Sequence, residues 1–181
     1  TFFGLKPGMT VVEFWPGAGW YTDILGPYLS QNRGTLYAAG LEAGPQDPSL
    51  SEVGEQFASK IKSSPQLYRA VKITTFGPKS GPVAPDGKAD LVLFLRNVHN
   101  WMSAGIAEKA FASAYAALKP GGVLGVERRQ HQVPGGCSTL AQVAKAEAAK
   151  QGTPGGQLYD PRSKDVALAF ESLPLEAPQV A

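Results

Sequence analysis

The stretch LKPGMTVVEFWPGAGWYT, Leu5 to Thr22, decides how the chain is read. A Pro-Gly turn leads into the apolar run Thr10 to Phe14, which reads as a strand buried on both faces. That strand carries one acid, Glu13, and runs straight into a tight turn made by Trp15, Pro16, Gly17 and Gly19. Trp20 to Leu29 follows with Ile24, Leu25, Tyr28 and Leu29 at helical spacing. Gly26-Pro27 is expected to kink that helix, because proline removes one backbone donor.

Outward from this unit, strands and helices alternate. QNRG turns the chain into a second strand, Thr35 to Ala39, and GLEAGPQDPS reads as loop. Leu50 to Lys62 is expected as a helix with Val53, Phe57 and Ile61 on one stripe. Ala70 to Thr75 is a third strand, GPKSGPVAPDGK an extended loop, and ADLVLFL, Ala89 to Leu95, the clearest strand of all. Ala104 to Leu118 is expected as a helix packing Ile106, Ala110, Phe111, Ala114 and Leu118, and KPGG turns it into a fifth strand, GGVLGVE. Such alternation predicts a Rossmann-like, doubly wound, mostly parallel α/β sheet with right-handed crossovers. Ligands of such sheets sit outside the carboxyl ends of the strands, near the point where strand order reverses. The glycine turn occupies that place.

Composition narrows the partner. The chain has 181 residues, 43% of them apolar, and a formal charge of +2 from 17 basic and 15 acidic side chains. That is enough for one well-cored domain, and too little basic excess for a nucleic-acid or membrane surface. A small-molecule partner is therefore expected, with no nucleic acid and no membrane. Cys137 is the single cysteine, so no internal disulfide forms and no cysteine-based metal site is expected. No run approaches the roughly 18 apolar residues of a membrane helix. The chain opens at Thr1 without a methionine or a charged leader, so any export signal is expected upstream and cytoplasmic placement is the default.

Two cofactors commonly use a strand, a glycine turn and a helix in that order. A dinucleotide fold wants G-x-G-x-x-G, and here the run from Gly17 is GAGWYT, which puts Thr22 where the third glycine would stand. S-adenosylmethionine needs close backbone approach but no pyrophosphate cradle, and EFWPGAG fits that need better. Trp15, Trp20 and Tyr21 read either as core and rim aromatics or as a wall beside the cationic sulfonium, since aromatic faces attract cations.

LKPGMTVVEFWPGAG resembles the glycine motif of class I S-adenosylmethionine-dependent methyltransferases, and ALKPGGVLGV, Ala117 to Val126, resembles the segment leading into their fifth strand. WPGAGWYTDIL together with FLRNVHNWM further resembles a bacterial family of predicted methyltransferases whose substrate is not assigned. The resemblance spans Leu5 to about Arg128, and implies the class I fold, S-adenosylmethionine as cofactor and methyl transfer as activity. It implies that Glu13 helps hold the methionyl end, that Gly17 and Gly19 let the cofactor lie against the backbone, and that the helix N-terminus near Trp20 faces its carboxylate. Trp15, Pro16, Tyr21, Arg96 and Asn97 are expected to line the same cofactor site. The acid that binds the ribose hydroxyls normally ends the second strand; Gly40 stands there, and Glu42 is the nearest acid, two residues on.

RNVHNW, Arg96 to Trp101, follows the fourth strand and so is expected to line the transfer site. His99 is read either as a base for an acceptor hydroxyl or amine, imidazole being the side chain suited to proton transfer near neutral pH, or as a cap of the strand end. Asn100 and Trp101 are the expected acceptor contacts. Arg128, Arg129 and His131 read as solvated surface. The core is expected over 1–128 and a divergent tail over 129–181, which lacks the two apolar runs of a closing antiparallel hairpin. Within it Thr139 to Lys150 reads as a helix, and Asp165 to Phe170 as a strand or a helix. Three functions stay in view: methyl transfer to a small molecule, a non-catalytic methyltransferase-like binding domain, and a nicotinamide-dependent oxidoreductase.

Overall fold

The computed structural model describes residues 2–42, 48–127 and 167–171. Its strands are β1 (Thr10–Phe14), β2 (Thr35–Leu41), β3 (Val71–Phe76), β4 (Ala89–Leu95), β5 (Leu118–Glu127) and β6 (Ala167–Glu171). The helices are α1 (Thr22–Gln31), α2 (Pro48–Ser63), α3 (Val98–Ser103) and α4 (Ala107–Ala117). The strands form one sheet in the order β3-β2-β1-β4-β5-β6, every pair parallel. This is the Rossmann-like α/β architecture expected from the alternation. Strand order reverses between β1 and β4, so the crevice of a doubly wound sheet opens above Phe14 and Leu95.

The central strands are apolar on both faces because each face is covered. On one side Val11, Leu36, Leu91, Leu93 and Leu95 pack beneath Leu25 and Leu29 of α1. On the other, Val12, Phe14, Val92 and Phe94 pack with Phe111, Ala110 and Ala114 of α4 and with Trp101 of α3. Burial of this kind supplies most of the stability of such a domain. At the amino edge of the sheet Asp90 fixes the register: it accepts from the Thr10 N–H at 2.7 Å and pairs with Lys119.

Several boundaries differ from expectation. α1 starts at Thr22 rather than Trp20 and runs unbroken through Pro27 to Gln31. β2 continues to Leu41, two residues further than its apolar run suggests. The helix expected from Ala104 to Leu118 is α4, which starts at Ala107 and ends at Ala117; before it lies a further short helix, α3, over part of RNVHNW, and Gly105 in a left-handed conformation separates the two. The crossover from β3 to β4 is loop over residues 77–88, as expected, and its Val83 and Ala84 enter the core. Ala167–Glu171 is a strand, paired in parallel with β5 from Val123↔Ala167 to Glu127↔Glu171. The expected helix at Thr139 to Lys150, and Arg128, Arg129, His131 and Cys137, lie outside the described residues.

Candidate cofactor and transfer site

β1 delivers Glu13 to the α1 side of the sheet, between Ala38 of β2 and Leu93 of β4. Its side chain is 1% exposed. Thr22, the first residue of α1, donates its hydroxyl to Glu13 Oε2 at 2.6 Å, while Oε1 has no partner among the described residues. Burial pushes the Glu13 carboxyl up to about 7; the Thr22 hydrogen bond works against that rise and the charge of Asp23 adds to it. Thr22 stands where a dinucleotide fold would have its third glycine, and it has a different use here. It holds the acid of β1.

The turn after β1 is strained. Trp15 adopts a left-handed backbone, φ 50°, and so does Arg96 at the corresponding end of β4, φ 62°. Side-chain-bearing residues enter that region only when their surroundings enforce it. For Trp15 the surroundings are plain: its N–H donates to the Ala39 carbonyl at 2.8 Å, and its indole N–H to the Phe76 carbonyl at 2.8 Å. Asn97 completes the brace, donating its side-chain amide to the Trp15 carbonyl at 3.0 Å and the Leu95 carbonyl at 3.1 Å. Asn97 thereby ties the tip of β1 to the tip of β4.

The two glycines of the turn do different work. Gly17 has φ 59°, and a Cβ built on it meets nothing within 4 Å among the described residues. Gly19 has φ 89°, and a Cβ there would lie 2.8 Å from the Phe57 ring of α2. Lys60, one turn further along α2, donates to the Ala18 carbonyl at 2.8 Å and pairs with Asp23 at 2.8 Å. Burial opposes ionisation of Asp23, but hydrogen bonds from Lys60 and Tyr68 outweigh it and hold its carboxyl below the ordinary range. The outer side of the turn is thus sealed by α2, and Gly17 is the glycine that faces open space. At the start of α1 the N–H groups of Asp23 and Ile24 are taken by the carbonyls of Gly19 and Tyr21.

The three aromatics do not stand on one surface. Trp15 packs edge-on against Trp101, on the α4 side. Tyr21 packs on the α1 side, where its hydroxyl donates to Glu127 at the end of β5. Trp20 is 66% exposed and lies edge-on to Tyr21 at 4.6 Å. Burial and the bond to Glu127 raise the Tyr21 phenol, which therefore stays a donor; the Arg96 charge opposes the rise. Glu127, 7% exposed, was not among the residues singled out from the sequence. It lies 106 residues from Tyr21, and no local pattern links them.

Past β4, Arg96, His99 and Asn100 are exposed at the carboxyl edge. The His99 imidazole makes no hydrogen bond among the described residues; the strand-end contacts come from Asn97 and from Asn100, which donates to Asn97 Oδ1 at 3.3 Å. Trp101, expected to touch the acceptor, is 0% exposed. Its ring meets Phe94, Phe14, Phe76 and Trp15 edge-on, so it has no free face to offer a ligand and belongs to the core. On the other side of the crevice Glu42 is the first residue past the extended β2, the position where the resemblance puts the ribose acid. Its carboxylate accepts from the Lys79 N–H at 2.8 Å.

This topology, with a glycine turn and a buried acid at the strand-order reversal, is the class I methyltransferase fold. Solved structures agree. The precorrin-6y C5,15-methyltransferase from Geobacter metallireducens superposes with a TM-score of 0.54 at 16% identity, over 80% of this chain and 64% of that one. The 16S rRNA (adenine(1408)-N(1))-methyltransferase from Catenulisporales acidiphilia gives 0.50 at 14% identity, over 78% of this chain and 69% of that one. The chain thus spans 64% of the length of the precorrin enzyme. No protein-family model and no curated protein sequence matches it.

Proposed function

We propose that this chain binds S-adenosylmethionine above the carboxyl ends of β1 and β4 and transfers its methyl group to a small-molecule acceptor. The observation that carries the reading is Glu13. A carboxyl group that is 1% exposed, with one oxygen unpartnered among the described residues, is costly to keep in a strand. A cationic ligand arriving at the end of that strand would complete its hydrogen bonding and oppose its charge. The open space over Gly17 gives the same ligand room to approach the backbone. Bound there, S-adenosylmethionine supplies a methyl group activated by the positive charge of its sulfonium.

The residues divide the labour as follows. Glu13 and the turn from Trp15 to Gly19 receive the methionyl end, with Pro16, Tyr21 and Arg96 around it. Asn97 acts from behind, by bracing the Trp15 carbonyl. Glu42 meets the ribose hydroxyls. His99, exposed and with its imidazole unengaged among the described residues, takes a proton from the acceptor, while Asn100 beside it contacts the acceptor. Methyl transfer is an in-line displacement, so the protein contributes mainly alignment and exclusion of water.

The fold does not restrict the acceptor, since one structural neighbour is a precorrin methyltransferase and another an rRNA methyltransferase. The neighbours therefore do not support the expected exclusion of nucleic acid. The near-balanced charge of +2 supports a small molecule, because RNA-binding surfaces draw on a concentrated basic excess. Release of S-adenosylhomocysteine across a panel of small hydroxyl and amine acceptors, with ribosomal RNA as a separate arm, tests this. Turnover on RNA alone would overturn the acceptor assignment and leave the cofactor assignment standing. Binding without turnover in every arm would favour the non-catalytic alternative.

A further inference from the structure

The loop leaving β3 is gripped by a lysine from α4. Residues 77–80 close on themselves: the Gly77 N–H donates to Ser80 Oγ at 2.9 Å, and the Ser80 N–H to the Gly77 carbonyl at 3.3 Å. Lys109 reaches into this turn and donates to the carbonyls of Gly77 at 2.6 Å, Ser80 at 2.9 Å and Pro78 at 3.0 Å. An ammonium has three donors, and each finds a carbonyl here.

The same turn clasps Glu42. A Cβ on Gly77 would fall 2.6 Å from Glu42 Oε2, so only glycine lets the carboxylate lie there. The Lys79 N–H then donates to that oxygen at 2.8 Å, and the Glu42 N–H donates back to the Phe76 carbonyl at 3.0 Å. The orientation of Glu42 is set by the turn, and the turn is set by Lys109. Left to itself, a glutamate next to an irregular loop would sample several rotamers and lose part of any ligand contact to ordering.

We propose that Lys109 is a positioning residue for nucleoside recognition. By pinning residues 77–80 it aims the Glu42 carboxylate at the vicinal hydroxyls of a ribose, and so selects ligands with a free 2′-hydroxyl. This rests on the reading of the chain as an S-adenosylmethionine binder. It adds a residue 67 positions beyond Glu42 that touches no ligand and acts through backbone carbonyls.

The experiment is a calorimetric titration of the full chain with S-adenosylhomocysteine and with its 2′-deoxyribose analogue, accompanied by a thermal melt of each variant. Wild type should prefer the ribose ligand by roughly tenfold, the scale of one hydrogen bond to a charged group. Lys109→Met should shrink that preference to about threefold or less by weakening the ribose ligand alone, with Lys109→Arg restoring part of it. Gly77→Ala, which pushes on Glu42 without touching α4, should do the same should Lys109→Met fail to fold. A preference unchanged in folded Lys109→Met, or in Gly77→Ala, overturns the role of the turn. Equal binding of both ligands by wild type overturns ribose selection while leaving cofactor binding intact. No binding of S-adenosylhomocysteine at all overturns the methyltransferase reading, and this inference with it.

Discussion

Thr22 Oγ1 donates to Glu13 Oε2 at 2.6 Å and leaves Glu13 Oε1 with no partner among the described residues, in an environment that admits almost no water. One hydrogen bond is a poor return for burying a carboxyl group. The rise from an ordinary 4.5 to about 7 is worth roughly 3 kcal/mol between the two protonation states. Without ligand, Glu13→Gln should therefore stabilise the folded chain at pH 8, by up to about 3 kcal/mol. Chemical denaturation of both proteins at that pH measures it, and a less stable Glu13→Gln would show that the carboxylate supports the fold.

The same residue sets a pH dependence. Below pH 4.5 Glu13 is protonated folded or unfolded and costs nothing by this route. As pH rises from 4.5 to about 7 the unfolded chain ionises while the folded chain holds its proton, so the unfolded state is favoured progressively. Above 7 the penalty is constant. The difference in stability between wild type and Glu13→Gln should open over that window and stay flat beyond it; a difference independent of pH from 4 to 8 would contradict the assignment.

The glycine turn separates two causes that a motif merges. Gly19→Val should lower stability by about 2 kcal/mol or more, because it combines a positive φ with a clash against Phe57. Gly17→Val meets only the backbone strain, about 1–2 kcal/mol, yet should abolish measurable binding of S-adenosylhomocysteine. Melting temperatures and titrations on the same two variants decide the matter. A folded Gly17→Val that binds like wild type would remove that glycine from the site.

His99 is exposed and its ring makes no hydrogen bond among the described residues, so His99→Ala should leave the melting temperature unchanged. Turnover should fall by roughly 10²-fold, the scale of a lost positioned base. The check is a rate per folded molecule, taken across pH 5 to 9. A rate that holds while the melting temperature drops would return His99 to scaffolding.

Much of the fold was legible because β1 and β4 are short apolar runs bounded by turns, and their limits fell where expected. β2 was cut short at Ala39 because Gly40 looks like a breaker; its ladder to β3 nonetheless continues through Gly40↔Thr75 and Leu41↔Phe76. That shift brings Glu42 to the strand end, and its apparent displacement disappears. α3 was missed because VHNWMS has six residues, too few for a helical period, and reads as a polar site. Trp101 misled for the same reason: an aromatic among polar neighbours suggests a ligand contact, and only the tertiary packing turns it inward. The contacts of Tyr21 with Glu127 and of Lys109 with residues 77–80 join distant segments, which no local pattern can announce.

Trp101 carries its own test. A fully buried tryptophan touching four aromatic rings should cost about 3–5 kcal/mol on truncation to alanine. Denaturant midpoints of Trp101→Ala and Met102→Ala, its exposed neighbour, give the contrast. Equal stability of the two would place Trp101 at the surface after all.

The central claim is that Glu13 is kept buried and underbonded for a ligand at the end of β1. Calorimetric titration of S-adenosylmethionine into wild type and Glu13→Gln at pH 8 tests it most directly. Binding to wild type should be saturable, one ligand per chain, and weakened by roughly tenfold or more in the variant, the scale of a lost charged hydrogen bond. No heat of binding at millimolar ligand, or equal affinity in a folded Glu13→Gln, would contradict it.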